Sequence, residues 1–413
     1  MPGFTFARGN TKKLLSLPLY AVGFLASAVV PRRRDSWVFG CGSGVGEGAI
    51  ALFELTRASD PSLDLLWLAR DSAELRAATL VGIPSVLRSS RRGLWATLRA
   101  RVVVVTHGLG DANRFGVRGA FVVQLWHGIP LKKIQLDAPV TFSSSGPSVV
   151  QHALRRLYRR STSAFRLVPA ASELSAARLR TAFDLPADRV VVTGDPRDDI
   201  LSQGTERSRT DTARALLEST VGPLADAGVM LYAPTWRDGE RDPGIPSSEE
   251  WRLIDEYLAA TNRVLVLRPH PHGIGDYGAG PRLSDRIRML AAADQSDVTP
   301  VLPAFELLIT DYSSIAYDFA LTSHPIAYLA PDVERYTATR GLYEPYEEFS
   351  GGTELGTWTE LIALLGRAES EPDILERLSN NSRALADSHH AFRDGRNTER
   401  VYGEIVARLR ERP

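Results

Sequence analysis

The chain has 413 residues, of which 44% are hydrophobic and 24% are charged, the composition of an ordinary globular protein. Lys plus Arg and Asp plus Glu both total 49, so the net charge of zero gives no indication of a nucleic-acid partner. Cys41 is the only cysteine, which excludes a disulfide framework and a cysteine-based zinc site.

The first element in chain order is an uncharged, mostly apolar run at residues 14–30, with two lysines before it and three arginines shortly after it. It is shorter than the run of about 20 apolar residues that a spanning helix needs. Basic residues on both flanks favour a segment held at an anionic cytoplasmic membrane surface. We therefore expect residues 1–34 to attach the protein peripherally to the cytoplasmic face of the membrane. A buried helix of the first domain and a secretory signal are the alternatives.

Beyond residue 35, short apolar runs alternate with longer amphipathic stretches, a pattern that predicts parallel sheets covered by helices on both faces. The first series of predicted strands is Trp37–Phe39, Leu63–Leu68, Val102–Thr106, Phe121–Leu125, Arg166–Val168 and Val190–Thr193. The second series is Met230–Ala233, Val264–Leu267, Leu307–Thr310 and Ile326–Leu329. The polar stretch Ser202–Asp211 separates the two series and is the predicted linker. We expect two doubly wound, Rossmann-like α/β domains, 35–205 and 206–413, facing a central cleft.

Polar motifs follow four of the predicted strands, where such sheets bind ligands. They are "LWHGIPLKK", "APTWRDG", "LRPHPHG" and "ITDYSSIAYDFA". In the last motif, Ser313 and Ser314 are predicted to cap a helix, whose free backbone N–H groups favour an anion. Arg237, Arg268 and Lys132 could add charge-assisted hydrogen bonds to phosphate oxygens. The recurrence of such features predicts a polyanionic substrate.

Two histidines in these motifs are candidates for proton transfer. His127 precedes Gly128, and His270 lies between two prolines that limit its backbone. A neutral imidazole can deprotonate a hydroxyl, and a protonated one can stabilise charge on a phosphate. A satisfied structural role is the alternative for each, and His272 and His324 are weaker candidates. No cluster of His, Asp and Glu at metal-ligand spacing stands out, so no metal site is expected.

With these motifs, the chain resembles the CDP-glycerol glycerophosphotransferases of wall teichoic acid synthesis, membrane-associated enzymes of GT-B type. The matching segments run in the family's order from about residue 36 to residue 402. They are "WVFGCGSGVGEGAIALFEL", "LWHGIPLKK", "VTGDPRDDIL", "YAPTWRD", "LRPHP", "ITDYSSIAYDFALTSHPIAYLAPDVERY", "RGLYEPYEE" and "FRDGRNTERV".

The resemblance implies roles for particular residues. His127 and His270 match the two histidines that the family uses around the reacting phosphate, with His127 favoured as the base. The residues that fall where the family binds the donor pyrophosphate are Arg268, Thr310, Asp311, Ser313 and Ser314. Asp394 and Gly395 match a late Asp-Gly motif, after which the last helix returns to the first domain. The implied reaction moves glycerol phosphate, or a related polyol phosphate, from CDP-glycerol to a hydroxyl of a lipid-linked glycan acceptor and releases CMP.

Departures from the family pattern, "GSGVGEG" and "GLGDANRFGVRGA", leave the acceptor open. The divalent-metal requirement and homo-oligomer formation also stay open, and no cofactor is expected beyond the donor. A nucleotide-sugar glycosyltransferase of the same fold and a catalytically silent membrane-surface protein are the alternatives. A nicotinamide oxidoreductase is weighed because Gly44, Gly46, Ala49 and Asp64 resemble a dinucleotide fingerprint. That interpretation leaves both histidine motifs unexplained.

Overall fold

A computed structural model of the protein describes residues 23, 25–143, 148–237 and 239–411. The chain divides into two compact units. The N-terminal unit holds the described residues up to Ile129, residues 134–199 and the segment from His390 onward, and the C-terminal unit holds Pro130–Lys133 and Ile200–His389. Most of the predicted membrane segment, residues 1–22 and 24, lies outside the described residues. None of the helices in the described part of the chain has the length and apolar character needed to cross a membrane.

The N-terminal unit is built on a sheet whose paired strands are all parallel, in the order β3-β2-β1-β4-β5-β6-β7. Its strands are β1 (Arg33–Phe39), β2 (Asp64–Ala69), β3 (Ser85–Leu87), β4 (Ala100–Val105), β5 (Phe121–Gln124), β6 (Phe165–Ala170) and β7 (Val190–Val192). After a helical stretch at residues 25–29, its α-helices up to residue 199 are α1 (Glu47–Ser59), α2 (Ser72–Leu80), α3 (Arg91–Arg99), α4 (Val140–Ser143), α5 (Ser148–Thr162) and α6 (Glu173–Phe183).

The C-terminal unit is built on a second parallel sheet, in the order β10-β9-β8-β11-β12-β13. Its strands are β8 (Gly228–Tyr232), β9 (Arg263–Leu267), β10 (Ile287–Met289), β11 (Leu307–Thr310), β12 (Ile326–Leu329) and β13 (Glu354–Leu355). Its helices are α7 (Glu206–Val221), α8 (Ser248–Ala260), α9 (Ala279–Leu283), α10 (Ile315–Ala320), α11 (Val333–Arg340), α12 (Tyr346–Ser350), α13 (Trp358–Ala368) and α14 (Pro372–His389).

The central strands are apolar throughout because helices cover both faces of each sheet. In β4, the four residues Val102–Val105 are fully buried, and they divide between two core clusters on opposite faces of the sheet. Alternating side chains of a strand point to opposite faces, so a continuous valine run is what a doubly covered strand requires.

The final helix, α15 (Asn397–Arg410), is part of the N-terminal unit. Its Val401 and Ile405 are fully buried in the same core cluster as Trp37 and Phe39 of β1. The start of the helix is fixed by the carboxylate of Asp199, which accepts hydrogen bonds from the backbone N–H groups of Asn397 (2.7 Å) and Thr398 (2.8 Å).

The predicted doubly wound α/β fold is confirmed, with ten predicted strands found at or within a few residues of their expected positions. The strands that the sequence did not predict are β3, β10 and β13, each at an edge of its sheet. They are two or three residues long and mostly half-buried, so they lack a long apolar run. The predicted linker Ser202–Asp211 is wrong from residue 206 onward, because α7 begins at Glu206 with Thr205 as its cap.

Candidate active site

In the N-terminal unit, the strand order changes direction between β1 and β4, and this switch point is where open α/β sheets bind ligands. The turn after β1 lies against the turn after β4, since the Gly42 N–H donates to the Thr106 hydroxyl at 3.3 Å. A Cβ atom on Gly42 would lie 2.5 Å from the ring of His107. Residue 42 must therefore be a glycine for the His107 ring to keep its place.

His107 stacks directly on His127. The two rings are parallel within 2°, and their centroids are 4.0 Å apart. The backbone of His107 is held by Asp111, a buried carboxylate that accepts from the N–H groups of Thr106 (3.0 Å) and His107 (2.6 Å). Trp126 lies 4.1 Å from the His127 ring at a tilt of 34°. These neighbours fix the plane of the His127 imidazole.

The backbone around His127 adopts a conformation that is rare for most residues. Trp126 has φ +63°, which is costly for a bulky side chain. Gly128 has φ +118°, a conformation that only glycine adopts without steric strain. The carbonyl of His127 accepts from the guanidinium of Arg197 at 2.9 Å. Strain of this kind persists only where the surroundings enforce it, and it clusters at functional sites.

The hydrogen bond made by the His127 ring determines which of its two nitrogens can accept a proton. Its Nδ1 lies 3.4 Å from the Thr106 carbonyl oxygen, which can only accept a proton. Nδ1 therefore carries the hydrogen, and Nε2 keeps its lone pair. Burial lowers the pKa of His127 well below its usual value, and the neighbouring His107 adds to this shift. At neutral pH, His127 is therefore a neutral imidazole whose Nε2 carries no hydrogen.

Cys41, Glu47 and His107 form a group that the sequence analysis did not expect. One potential ligand atom from each lies within 4.8 Å of the others, close enough to consider a metal ion. The Thr106 hydroxyl already lies between the Cys41 sulfur (3.3 Å) and the His107 Nδ1 (2.8 Å). Burial raises the pKa of the Cys41 thiol, which keeps it protonated. The Thr106 hydroxyl thus links Cys41 and His107 by hydrogen bonds.

In the C-terminal unit, His270 follows β9 and packs on Trp236, which follows β8. The two rings are stacked within 18° at 5.5 Å. The Nδ1 of His270 accepts from the backbone N–H of His272 at 3.1 Å. The hydrogen of the neutral ring is therefore on Nε2, the opposite tautomer to that of His127. Desolvation lowers the pKa of His270 to about 4, and the positive charge of Lys132 adds to the shift.

Lys132 belongs to the C-terminal unit, where it forms an antiparallel bridge with Leu342. The adjacent Lys133 N–H donates to the Gly341 carbonyl at 3.0 Å. Burial lowers the pKa of Lys132 to about 8, an effect that Asp311 opposes and Arg340 reinforces. A lysine that is costly to keep charged gains from a bound anion, because the anion restores the interaction that burial removed.

Arg237 lies at the centre of a buried network at the ends of β8 and β11, the switch point of the second sheet. Its guanidinium pairs with Asp311 at 3.0 Å and with both oxygens of Asp332 at 2.8 and 2.9 Å. Tyr312 and Tyr336, which stack at 4.0 Å, both lie beside the guanidinium. Burial alone would lower the pKa of Arg237, but the two carboxylates outweigh it and raise the pKa.

Asp311 and Thr310 are also engaged within this network. The Asp311 carboxylate accepts from the backbone N–H groups of Thr235 (2.8 Å) and Tyr312 (2.6 Å). The Thr310 hydroxyl donates to the Ala233 carbonyl at 2.8 Å. Both side chains are buried, so they hold the loops after β8 and β11 together.

Ser313 and Ser314 are half-buried at the start of α10, at the same end of β11. Ser314 occupies the cap position, but its backbone is α-helical and its side chain makes no capping hydrogen bond. The predicted side-chain cap is therefore wrong for Ser314. Arg268, after β9, donates to the carbonyls of Leu290 (3.4 Å) and Ser296 (3.1 Å), and burial lowers its pKa.

Asp394 and Gly395 form the turn that leads into α15. Gly395 has φ +68°, and the Asp394 carboxylate accepts from Arg400 at 3.0 Å and from the Arg396 N–H at 3.2 Å. These hydrogen bonds lower the pKa of Asp394. Within the N-terminal unit, this motif shapes the entry to the final helix.

Sequence reasoning missed the residues that support the histidines, above all His107, Asp111 and Arg197. "THG" after a predicted strand was a usable signal for His107, because it repeats the strand-His-Gly order seen at His127. The hydrogen bonds from Asp111 and Arg197 could not be found this way, since they depend on how distant loops fold back.

Comparisons with known proteins agree with this architecture. The family model described as CDP-Glycerol:Poly(glycerophosphate) glycerophosphotransferase matches residues 25–407. A Staphylococcus aureus teichoic acid glycerol-phosphate transferase is 26% identical over 371 residues, covering 87% of this chain and 90% of that protein. The ribitol-phosphate polymerase TarK of the same species is 26% identical over 70% of this chain, which spans about half (52%) of TarK's length. A solved variant of the wall teichoic acid polymerase TagF, soaked with CDPG, has a TM-score of 0.76 at 19% identity and covers 98% of both chains.

Proposed function

Because the chain belongs to the CDP-glycerol:poly(glycerophosphate) glycerophosphotransferase family, we propose that it transfers glycerol phosphate, or a related polyol phosphate, from a CDP-alditol to a hydroxyl of a lipid-linked cell-wall glycan. The TagF variant soaked with CDPG supports a CDP-linked donor by analogy of fold. The staphylococcal transferase, matched over 90% of its length, supports glycerol phosphate as the group moved.

The observation that carries this proposal is that Nδ1 lies beside an acceptor in His127 and beside a donor in His270, which implies opposite tautomers. His127 donates from Nδ1 and leaves Nε2 free to accept a proton, as a general base must. His270 accepts at Nδ1 and presents an Nε2–H that can donate to a phosphate oxygen. One base and one donor are what the attack of a hydroxyl on a diphosphate needs.

The proposed step balances as a phosphoryl transfer. The acceptor oxygen attacks the β-phosphorus of the donor and gives its proton to Nε2 of His127. The bond from the β-phosphorus to the bridging oxygen breaks, and CMP leaves with both bonding electrons. His270 hydrogen-bonds the departing phosphate through Nε2–H. Such a reaction depends mainly on positioning and on stabilisation of negative charge.

We assign the phosphate-binding residues to two roles. Lys132, Arg268, Ser313 and Ser314 contact the donor diphosphate through charge and through hydroxyl or backbone donors. Thr310, Asp311 and Arg237 hold the loops that carry these groups, because their side chains are already engaged in buried contacts. A diphosphate would restore the charge stabilisation that burial removes from Lys132 and Arg268.

The proposed function also includes attachment of the protein to a membrane. A lipid-linked acceptor requires the enzyme to work at a membrane surface, and the apolar segment between basic residues at 1–34 suits peripheral attachment at an anionic cytoplasmic face. We propose that this segment attaches the protein without spanning the bilayer.

The direct test is to identify the nucleotide released from CDP-glycerol in the presence of a lipid-linked acceptor. We expect CMP from the wild-type chain. We also expect His127→Ala and His270→Ala each to lower turnover by about a hundredfold or more while the protein stays folded. Release of a nucleoside diphosphate from a sugar nucleotide, with none from CDP-alditols, would favour the glycosyltransferase alternative. Near-normal turnover in either alanine variant would remove that histidine from the mechanism.

A further inference from the structure

The N-terminal unit has a cavity of about 260 Å³ at the amino-terminal ends of its strands. This is the end of the sheet opposite to His127. The cavity lies where β1, β5 and β6 begin and is lined by Arg32, Arg33, Arg34, Arg101 and Arg166. His127 follows the other end of β5, so this cavity is separate from the candidate active site. None of the residues that line it is acidic.

One arginine that lines this cavity, Arg32, is held in place by neutral groups. Arg32 donates to four backbone carbonyls, among them those of Thr97 and Gly116 at 3.0 Å each. Because carbonyl groups are neutral acceptors, they orient the guanidinium without neutralising its positive charge. Burial lowers the pKa of Arg32 to about 10, so a bound anion would stabilise the charged form. Of the other lining arginines, Arg33 is paired with Asp35 and Asp64.

The charge and size of the cavity match a phosphate diester. Guanidinium groups bind phosphate oxygens through paired hydrogen bonds, and a cluster of them is a typical phosphate site. The volume exceeds that of a bare phosphate, so there is room for the glycerol part of a headgroup.

The chain that leads into the cavity indicates where the diester comes from. Residues 25–29 are helical, and Leu25 and Val29 are 65% and 82% exposed. Val29 lies three residues before Arg32. Exposed apolar side chains beside a cluster of cations are the combination that binds the surface of an anionic membrane.

We propose that the arginine cavity, defined by Arg32, Arg33, Arg34, Arg101 and Arg166, binds the phosphate diester of an anionic phospholipid headgroup. This inference rests on the membrane attachment in the proposed function and adds a specific binding site to it. The apolar residues before Arg32 contact the acyl region while the guanidinium groups take the phosphate.

The test is flotation of the full-length protein with vesicles of phosphatidylcholine, with or without phosphatidylglycerol. The double variant Arg34→Gln with Arg101→Gln removes two cations from the cavity. At about 1 kcal/mol for each cation, we expect partition onto phosphatidylglycerol vesicles to fall about 30-fold. The matched control is Arg91→Gln with Arg92→Gln, which removes the same charge from exposed positions of the same unit. We expect the control to keep partition within about threefold of wild type.

Three results would overturn the proposal. They are unchanged partition of the cavity variant, an equal loss in both double variants, and saturable binding of soluble glycerol phosphate that the cavity variant loses, with no preference for phosphatidylglycerol vesicles. The last would assign the cavity to a free phosphate. The single variant Arg34→Gln, at an exposed position, repeats the test without risk to folding. Calorimetric binding of CDP-glycerol is measured in parallel, because its failure in the wild type would count against the proposed reaction and not against this site.

Discussion

Replacing Arg237 with leucine should destabilise the C-terminal unit far more than an average substitution does. The guanidinium is 5% exposed and holds two carboxylates, Asp311 and Asp332. Removing one partner of a buried ion pair leaves an uncompensated charge and costs roughly 3–5 kcal/mol. Because Asp311 keeps its hydrogen bonds from the Thr235 and Tyr312 N–H groups, we expect the lower end of that range, about 3 kcal/mol.

The assay is urea unfolding followed by tryptophan fluorescence, with the free energy of unfolding taken for the transition that the substitution shifts. Arg237→Lys is the control that keeps the charge and loses the paired geometry, and it should cost less than the leucine variant. Adding Asp332→Asn to Arg237→Leu should recover part of the loss, because it removes one of the stranded charges. A loss below about 1 kcal/mol for Arg237→Leu would refute the view that this network holds the loops.

The loss of stability in Arg237→Leu should depend on pH in one direction only. Burial alone would raise the pKa of Asp332, but the Arg237 guanidinium outweighs it and lowers the pKa. A lowered carboxylate pKa contributes stability that is present above its unfolded value, about 3.9, and is lost as pH falls through the folded value. The difference between wild type and Arg237→Leu should therefore shrink below about pH 4. A difference that grew on acidification would contradict the assignment.

Two further predictions concern the candidate site. Gly42→Ala places a methyl group 2.5 Å from the His107 ring and should disturb its stack on His127, so turnover should fall about tenfold to a hundredfold. Gly110→Ala, where an added Cβ meets nothing within 4 Å, is the matched control, and an equal loss there would rule out the stack as the cause. Lys132, with its pKa lowered to about 8, is charged below that pH and loses its charge above it, so kcat/KM for the donor should decline as pH rises through about 8. Lys132→Arg should remove this decline, and a parallel decline in that variant would assign it to another group.

The sequence predicted the fold well where burial on two sides left an uninterrupted apolar run. Val102–Val105 is such a run, and its strand was found within two residues. Edge strands such as β10 are short and half-exposed, so their sequence carries no comparable signal. The polar stretch after Ser202 was misassigned because α7 is a surface helix in which few residues are buried. Low hydrophobicity alone does not separate such a helix from a linker.

The sequence motifs nominated candidate site residues but could not show which groups hold them. Motif position indicated His127 and His270, but the tautomer of each depends on one backbone group, the Thr106 carbonyl and the His272 N–H. The expectation that Asp311 and Arg237 would face a phosphate did not foresee that they pair with each other. Such pairing joins residues 74 positions apart, so only the folded chain reveals it.

The packing of α15 onto the N-terminal unit has a consequence for biosynthesis. The hydrophobic centre formed around Trp37 and Phe39 includes Val401 and Ile405, which leave the ribosome more than 350 residues later. Until then, the nascent N-terminal half exposes an apolar surface that its own residues cannot cover. The core on one face of the first sheet is therefore completed last, and during translation that half of the protein should be a target for chaperones.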